Sequence, residues 1–296
     1  SHRGRSATRA ATAYPAQPEP IASGCPGRAR MAVGSLLVST PTSPGTPEDS
    51  PRPAGRPSPG RMRVGILGVG RAGAVLGAAL ARAGHPVVAV SAVSDASHER
   101  AARLLPGARI LEDLDVVAEA DLVLFGVPEE TLAPLLAGLA AAGAFHPGQV
   151  LVHVSARQGI GVFEPVAAAH DVLPLALHPA LALAGRAEDV ERLSGTAFAV
   201  TTLKSLRPLG EALVLEMGGE PVWVEEEDRP AYAAALAAVR DGLEGVLGAA
   251  SRVLADCGFA DPGHTLGPLV ASTVDGVFRS SVTRDPAGAT EPEEHP

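Results

Sequence analysis

The sequence predicts an α/β protein with a doubly wound, mostly parallel sheet, followed by a smaller all-helical C-terminal domain. Short apolar strands alternate with helical segments up to residue 224, which is typical of parallel sheets. A glycine-rich turn at residues 68–73 joins the first strand to the first helix. After Trp223 the pattern changes to Ala, Leu and Val at helical spacing. We therefore predict a sheet domain at 62–224 and a truncated helical domain at 225–284.

Composition excludes several classes of protein. A chain of 296 residues, 46% of them hydrophobic, is long enough for one large or two medium domains. The net charge of −9 argues against a nucleic-acid partner, because phosphate binding needs excess positive charge. The sequence lacks the run of about 18 apolar residues that a membrane span needs, and we see no secretory signal. Two cysteines, Cys25 and Cys257, do not predict a disulfide framework or a zinc site. A cytoplasmic location is the resulting expectation.

Both ends of the chain are predicted to be disordered. Residues 1–61 are rich in Pro, Ser, Gly and Arg and lack sustained periodicity. Such a segment buries too little apolar surface to offset the entropy lost on ordering. The polar, Pro-containing residues 285–296 are assigned in the same way.

The elements between these tails follow from hydrophobic periodicity and from helix-stop residues. Ser97 is expected to cap the second helix, and His178-Pro179 to end the sixth strand. Gly267-Pro268 is expected to interrupt the last helix. The predicted strands are 63–67, 86–93, 109–111, 121–127, 149–155, 172–177, 198–202 and 222–224. The predicted helices are 72–83, 97–105, 132–142, 204–217, 229–257 and 262–281.

The turn after the first strand has the spacing G-x-G-x-x-G. Gly68 permits the tight turn, Gly70 lets a pyrophosphate approach the backbone, and Gly73 lets the helix pack closely on the strand. Free N–H groups at the helix start then favour phosphates. The alternative is that these glycines serve turn geometry alone. The motif predicts a Rossmann-type dinucleotide site whose contacts are Gly68, Val69, Gly70, Arg71, Ala72 and Gly73, with Val127 and Pro128 after the fourth strand.

The end of the second strand bears on the choice of cofactor. An NAD site usually carries an acid about 20 residues beyond the loop, where this chain has Ser91 and Ser94 and no carboxylate before Asp95. The two serines can donate hydrogen bonds to a 2′-phosphate, and Arg71 or Arg100 can neutralise it. The prediction is NADP rather than NAD, the alternative being that the serines only end the strand.

Polar residues at the carboxyl ends of two further strands are candidates for chemistry, because ligands of such sheets bind there. Ser155 is a candidate to hydrogen-bond a carbonyl or the nicotinamide amide, and Arg157 to hold a substrate carboxylate. His178 is a candidate acid or base. Structural alternatives stay open: Ser155 as a cap, Arg157 as a solvated side chain, His178 as a turn residue.

Other polar groups are assigned mainly structural roles. His153, inside a strand, is interpreted as a satisfied core residue. Asp241 faces either a cleft between the domains, where it is a third catalytic candidate, or solvent. The acidic run 225–228 is interpreted as the charged first turn of the long helix rather than a metal site.

Residues 62–284 resemble Rossmann-like proteins of actinobacteria whose C-terminal part is the domain of unknown function 2520. The first strand, loop and helix and the His178-Pro179 pair also give a distant similarity to pyrroline-carboxylate reductases, prephenate dehydrogenases and 6-phosphogluconate dehydrogenases. The segments that carry the closer resemblance are 62–94, 120–132, 146–166, 173–183 and 211–237.

This resemblance implies an NAD(P)-dependent oxidoreductase whose helical domain often dimerises and forms a cleft with the sheet domain. The chain departs from the family pattern at two residues, with Asp241 where Asn is expected and Gln158 where His is usual. Its helical domain also ends early, at about residue 284, where relatives continue with more helices. The leading hypothesis is an NADP-dependent oxidoreductase of a small carbonyl, imine or hydroxy acid. The rivals are a dinucleotide-binding sensor without turnover and a truncated product that folds poorly.

Overall fold

The computed structural model describes residues 60–282, with backbone alone for 281 and 282, and places eight strands in one sheet. The strand order is β3-β2-β1-β4-β5-β6-β7-β8. All neighbours are parallel except β6 and β7, which run antiparallel. The strands are β1 (Val64–Leu67), β2 (Val87–Ser91), β3 (Arg109–Ile110), β4 (Leu122–Phe125), β5 (Val150–His153), β6 (Leu173–Pro179), β7 (Ala197–Thr202) and β8 (Glu220–Trp223). This confirms the predicted mostly parallel sheet.

Nine α-helices connect or follow the strands within the described residues. Three 3-10 turns, Ile160–Phe163, Lys204–Leu206 and Glu226–Asp228, each lead directly into a helix. The helices are α1 (Arg71–Arg82), α2 (Asp95–Leu104), α3 (Asp113–Glu119), α4 (Glu129–Ala141), α5 (Glu164–His170), α6 (Ala187–Arg192), α7 (Arg207–Glu216), α8 (Arg229–Asp256) and α9 (Pro262–Val282).

Alternate residues of each strand enter different cores on the two faces of the sheet. Ile66 packs on the face covered by α1, α2, α6 and α7, whereas Leu67 packs on the face covered by α3, α4 and α5. The helices that follow the adjacent strands β1 and β4 therefore lie on opposite faces. A crevice opens at the carboxyl ends of such a strand pair, which is where ligands of doubly wound sheets bind.

The described residues end in a helical region, as the sequence predicts. Arg229 is the buried residue of α8, and the remainder of α8 and all of α9 are partly or fully exposed as far as residue 280. Across residues 60–282 no helix combines the length and apolarity required to cross a bilayer.

Several local predictions were wrong. The cap of α2 is Ser94, whose Oγ accepts from Ser97 N, and Ser97 is the third helical residue. His178-Pro179 belongs to β6, because it pairs with β7. Pro268 lies inside a continuous α9. Ser155 lies two residues beyond the end of β5.

The predicted terminal disorder falls almost wholly outside the described residues, in 1–59 and 285–296. Arg61, assigned to the tail, is an exception, because its Nη1 donates to Glu216 Oε1 at 2.6 Å. Glu216 Oε2 also lies 2.7 Å from Nε2 of the buried His85. Arg61 thus contacts the last residue of α7.

The packing of α3 on β1 predicts a marked cost for a side chain at Gly65. A Cβ added there would lie 2.8 Å from the Val116 carbonyl oxygen, which belongs to the backbone. We expect Gly65→Ala to lower the free energy of unfolding by about 2–3 kcal/mol. Gly138, exposed in α4 with open space around it, is the matched control. Gly138→Ala is expected to raise stability by about 0.5–1 kcal/mol. Urea unfolding measures both values. Equal effects of the two substitutions would contradict the close packing of α3 against Gly65.

Candidate functional site

The glycine-rich loop lies at the crevice between β1 and β4. Gly68 has φ +82°, a conformation that glycine favours, and Gly70 is the N-cap of α1 without a side-chain cap. The first N–H groups of α1 therefore lack a side-chain acceptor. A Cβ at Gly73 would lie 2.5 Å from the Gly68 carbonyl oxygen. The loop has the close packing and the free donors that a diphosphate site needs.

A further glycine at this site was not predicted. A Cβ at Gly126, directly after β4, would lie 2.5 Å from the Gly68 carbonyl oxygen and 2.8 Å from Gly73 Cα. Val127 follows, with its Cγ1 2.8 Å from the position of a Cβ on Gly68, and Pro128 is the N-cap of α4. Gly126 thus packs against the loop directly before the predicted contacts Val127 and Pro128.

The two serines of the predicted 2′-phosphate site have partners within the protein. Ser91 Oγ accepts from Gly68 N at 3.2 Å, and the Ser91 carbonyl accepts from Val69 N at 3.3 Å. Ser94 caps α2. Arg100 Nε donates to the Val69 carbonyl at 2.9 Å. Ser91 and Arg100 therefore hold the loop in shape, and Arg100 places a positive charge against it.

The segment after β5 is tightly organised around Ser155. Its Oγ donates to Glu129 Oε2 at 2.6 Å and accepts from the N–H groups of Arg157 and Gln158, both at 3.1 Å. The two bonds that Ser155 Oγ accepts agree with the alternative in which Ser155 caps the following segment. Arg157 is exposed, and its guanidinium has no hydrogen-bond partner among residues 60–282.

His153 supports the same segment from inside the sheet. Its Nδ1 accepts from Ser155 N at 3.1 Å, and its Nε2 lies 2.7 Å from the Gly159 carbonyl, to which it donates. Burial, together with the charge of Arg229, lowers the pKa of His153 to about 4. The structure confirms the interpretation of His153 as a satisfied core residue.

A carboxylate from the acidic run closes the segment on its other side. Glu226 accepts from the N–H of Ile160 at 2.8 Å through Oε2 and from that of Gly161 at 3.0 Å through Oε1. A Cβ on Gly159 would overlap this carboxylate. The acidic run is therefore more than a charged helix start, because Glu226 joins the region before α8 to the segment after β5. Among the described residues no group of His, Cys, Asp and Glu side chains could hold a metal ion.

His178 meets a residue that the sequence did not single out. Its Nδ1 lies 2.9 Å from the Tyr232 hydroxyl, and the two rings pack edge to face with centroids 5.6 Å apart. Burial and the charge of Arg229 lower the pKa of His178 to about 4, so its imidazole is neutral at pH 7. Burial raises the pKa of Tyr232, which keeps its hydroxyl protonated.

Arg229 connects these groups. It is completely buried at the start of α8 and forms no ion pair with a carboxylate of residues 60–282. Burial lowers its pKa to about 10, so it stays charged at pH 7. Its donors reach Thr201 Oγ1 at 2.8 Å and the carbonyls of Ser155, Ala176 and Ala199 at 3.1, 2.8 and 3.1 Å.

Asp241 does not join this cluster within one chain. It lies nine residues after Tyr232 in the same helix, which is about 13 Å along the axis. Its carboxylate is exposed and pairs with the neighbouring Arg240 at 3.0 Å. The structure thus brings Ser155, His178 and the base of Arg157 to one edge of the sheet and leaves Asp241 in solvent.

Sequence comparison identifies two domains in the chain. Residues 48–179 match the Rossmann-like domain, and residues 196–290 match the domain of unknown function 2520. The chain is therefore a Rossmann-like protein with this C-terminal domain, as its resemblance implies. No curated protein sequence matches it.

Solved structures of similar fold include several reductases. An imine reductase from a Pseudomonas species has a TM-score of 0.58 at 19% identity, covering 76% of this chain and 77% of its own. The 1-pyrroline-5-carboxylate reductase of Streptococcus pyogenes has a TM-score of 0.56 at 16% identity, with 78% and 82% covered. The pyrroline carboxylate reductase of Plasmodium falciparum with NADP bound has a TM-score of 0.53 at 11% identity, with 76% and 80% covered. These likenesses show the fold.

The bonds of Arg229 predict that its removal destabilises the protein. We expect Arg229→Met to lower the free energy of unfolding by at least about 2 kcal/mol, because buried carbonyls lose their donors. Arg252 lies exposed in the same helix, so Arg252→Met is the matched control and is expected to change little. Chemical denaturation measures both. Equal stability of the two variants would show that the Arg229 bonds make no net contribution to the free energy of unfolding.

The lowered pKa values of His153 and His178 predict a pH dependence of stability. Both groups bind protons more weakly in the folded state than at their ordinary value of 6.5. Their contribution is fully present above pH 6.5 and is lost as the pH falls towards 4. In NMR titrations the two imidazoles should stay neutral from pH 8 down to about 5. A midpoint near 6.5 for either ring would contradict its burial.

Proposed function

We propose that the protein is an NADP-dependent oxidoreductase of a small carbonyl, imine or hydroxy acid. The observation that carries the proposal is the uncapped glycine loop at the β1–β4 crevice, with polar side chains at the carboxyl ends of β5 and β6 along the same edge. The reductase folds of the similar structures support it. Gly73 and Gly126 let the loop pack closely, and the first N–H groups of α1 have no side-chain acceptor within the described residues, so the residues present fit the diphosphate of a dinucleotide.

The proposed chemistry assigns a role to each side chain at this edge. The nicotinamide cofactor, when bound, supplies or accepts the hydride. Arg157, exposed and without a protein partner in the described residues, holds an anionic group of the substrate. His178 is neutral, so it acts as a base or as a hydrogen-bond donor rather than as an imidazolium acid. Ser155 positions the segment that carries Arg157 through its bond to Glu129.

The preference for NADP over NAD rests on charge at the end of β2. A ribose-binding carboxylate is absent there up to Asp95, and Arg100 is fixed against the phosphate loop. Ser91 and Ser94 belong to this proposed site, Ser91 by supporting Gly68 and Ser94 by forming the start of α2.

A dinucleotide-binding sensor without turnover is the second candidate. The exposed position of Asp241 favours it, because a third catalytic candidate is remote from the cluster within one chain. Cofactor binding is common to both proposals, and substrate-dependent oxidation of NADPH separates them.

A homodimer through the helical region is also proposed. Val239, Leu243, Val246 and Val253 are all between 41% and 69% exposed, and their spacing of 4, 3 and 7 residues puts them on one face of α8. Such an apolar stripe is suited to helix packing against a second copy.

Ligand binding tests the proposed cofactor. We expect NADPH to bind more tightly than NADH by calorimetry and to raise the melting temperature. Gly73→Ala should abolish both effects because its Cβ meets the Gly68 carbonyl, whereas Gly138→Ala should retain them. Incubation with 2-oxo acids, imines and ketones then tests turnover through NADPH absorbance. Absence of binding to either dinucleotide would refute the proposal.

Light scattering coupled to size exclusion tests the dimer. The wild-type chain is expected to elute with twice its mass of 29.9 kDa. Val246→Glu should produce the monomer mass, because a charge would have to be buried in the interface. Glu244→Gln, exposed on the same helix, serves as the control. A wild-type monomer at micromolar concentration would count against the dimer.

A further inference from the structure

Residues 180–186, here called the strap, cross the protein surface between β6 and α6. Leu181 and Leu183 pack against the core on the α1 side of the sheet. The buried carboxylate of Asp189 accepts from the N–H groups of Ala184, Gly185 and Arg186 at 2.7, 2.8 and 3.1 Å. The strap is therefore fixed both by apolar packing and by charge-assisted hydrogen bonds.

The strap lies against the two helices that follow β1 and β2. A Cβ added at Gly185 would lie 3.2 Å from Arg71 Cα and 3.0 Å from Arg100 Cδ. The Gly185 carbonyl accepts from Arg103 Nη2 at 3.0 Å. Gly185 thus touches three arginines, one from the start of α1 and two from α2.

These arginines carry charge that the described protein leaves uncompensated. Arg71, Arg100 and Arg103 form no ion pair within residues 60–282, although Arg61, Arg63, Arg82 and Arg109 each do. Arg100 is held by Nε on the Val69 carbonyl, and its Nη groups have no hydrogen-bond partner in the described chain. Arg100, held on the Val69 carbonyl, and Arg71, the first residue of α1, therefore bring positive charge to the phosphate loop without forming an ion pair of their own among the described residues, which suits a phosphate monoester.

We infer that the strap forms a wall of the dinucleotide site and, by holding Arg71 and Arg100 in place, selects a cofactor that carries a 2′-phosphate. This inference rests on the proposed function and assigns part of its specificity to a segment distant in sequence from the loop. Arg100 binds the phosphate, whereas Arg103 and Gly185 are positioning residues.

The test compares two glycine variants in the full chain. Gly185→Ala introduces a Cβ that pushes the strap away from Arg71 and Arg100. Gly195→Ala is the matched control, because Gly195 has a similar φ (+70° against +78°) but open space around it. We expect Gly185→Ala to raise the Kd of NADPH about tenfold or more and that of NADH less than about threefold. Gly195→Ala should change neither Kd beyond its effect on folding.

Charge variants make the test independent of backbone strain. Arg100→Gln and Arg103→Gln are expected to reduce the ratio of NADH Kd to NADPH Kd, Arg100→Gln by about tenfold or more. Arg82→Gln, at the other end of α1, removes the same charge and should leave the ratio unchanged. An unchanged ratio in Gly185→Ala, Arg100→Gln and Arg103→Gln would overturn the inference.

Failure of the inference differs from failure of the proposed function. A wild-type protein that binds NADH and NADPH equally would overturn phosphate selection and leave dinucleotide binding intact. A wild-type protein that binds neither cofactor would overturn both.

Discussion

The buried guanidinium of Arg229 is the interaction on which the carboxyl edge of the sheet depends. One side chain donates to the segment after β5, to β6 and to β7, and it belongs to the first turn of α8. A charge buried without a carboxylate is expensive unless its donors are satisfied, and here carbonyls and a hydroxyl satisfy them. A single residue therefore contacts the antiparallel β6–β7 pair, the Ser155 segment and the long helix at once.

The same charge adds to the effect of burial on the pKa values of two neighbouring histidines. His153 and His178 both lie close enough to Arg229 for its field to oppose their protonation, in addition to the effect of burial. Both rings can then accept as well as donate hydrogen bonds, which His153 does between Ser155 and Gly159. Glu226 completes the arrangement by accepting two backbone N–H groups from the other side. The segment after β5 is consequently held from both sides by side chains of the protein.

The sequence was sufficient for the sheet and the glycine loop because both depend on local patterns. Apolar runs between turn residues predict strands, and G-x-G-x-x-G after a strand has few other uses. The helices α3, α5 and α6 were missed because six or seven residues give too little periodicity. The sequence favours Ser97 over Ser94 as the cap of α2, because both serines precede helical spacing and only backbone geometry decides which one caps.

The residues missed at the site share a different property, which is that their roles depend on contacts between distant segments. Arg229 has the sequence appearance of a surface arginine before Pro230, and the proline signals only that a helix begins. Glu129 and Glu226 look like the acidic first turns that stabilise many helices. Tyr232, one of two tyrosines, was the one detectable signal, because a tyrosine near a helix start in a chain with 3% aromatic residues is uncommon. Each acquires its role only when the parallel strands β5 and β6 and the antiparallel strand β7 bring residues 155, 178 and 201 together, so these roles depend on the sheet topology rather than on local sequence.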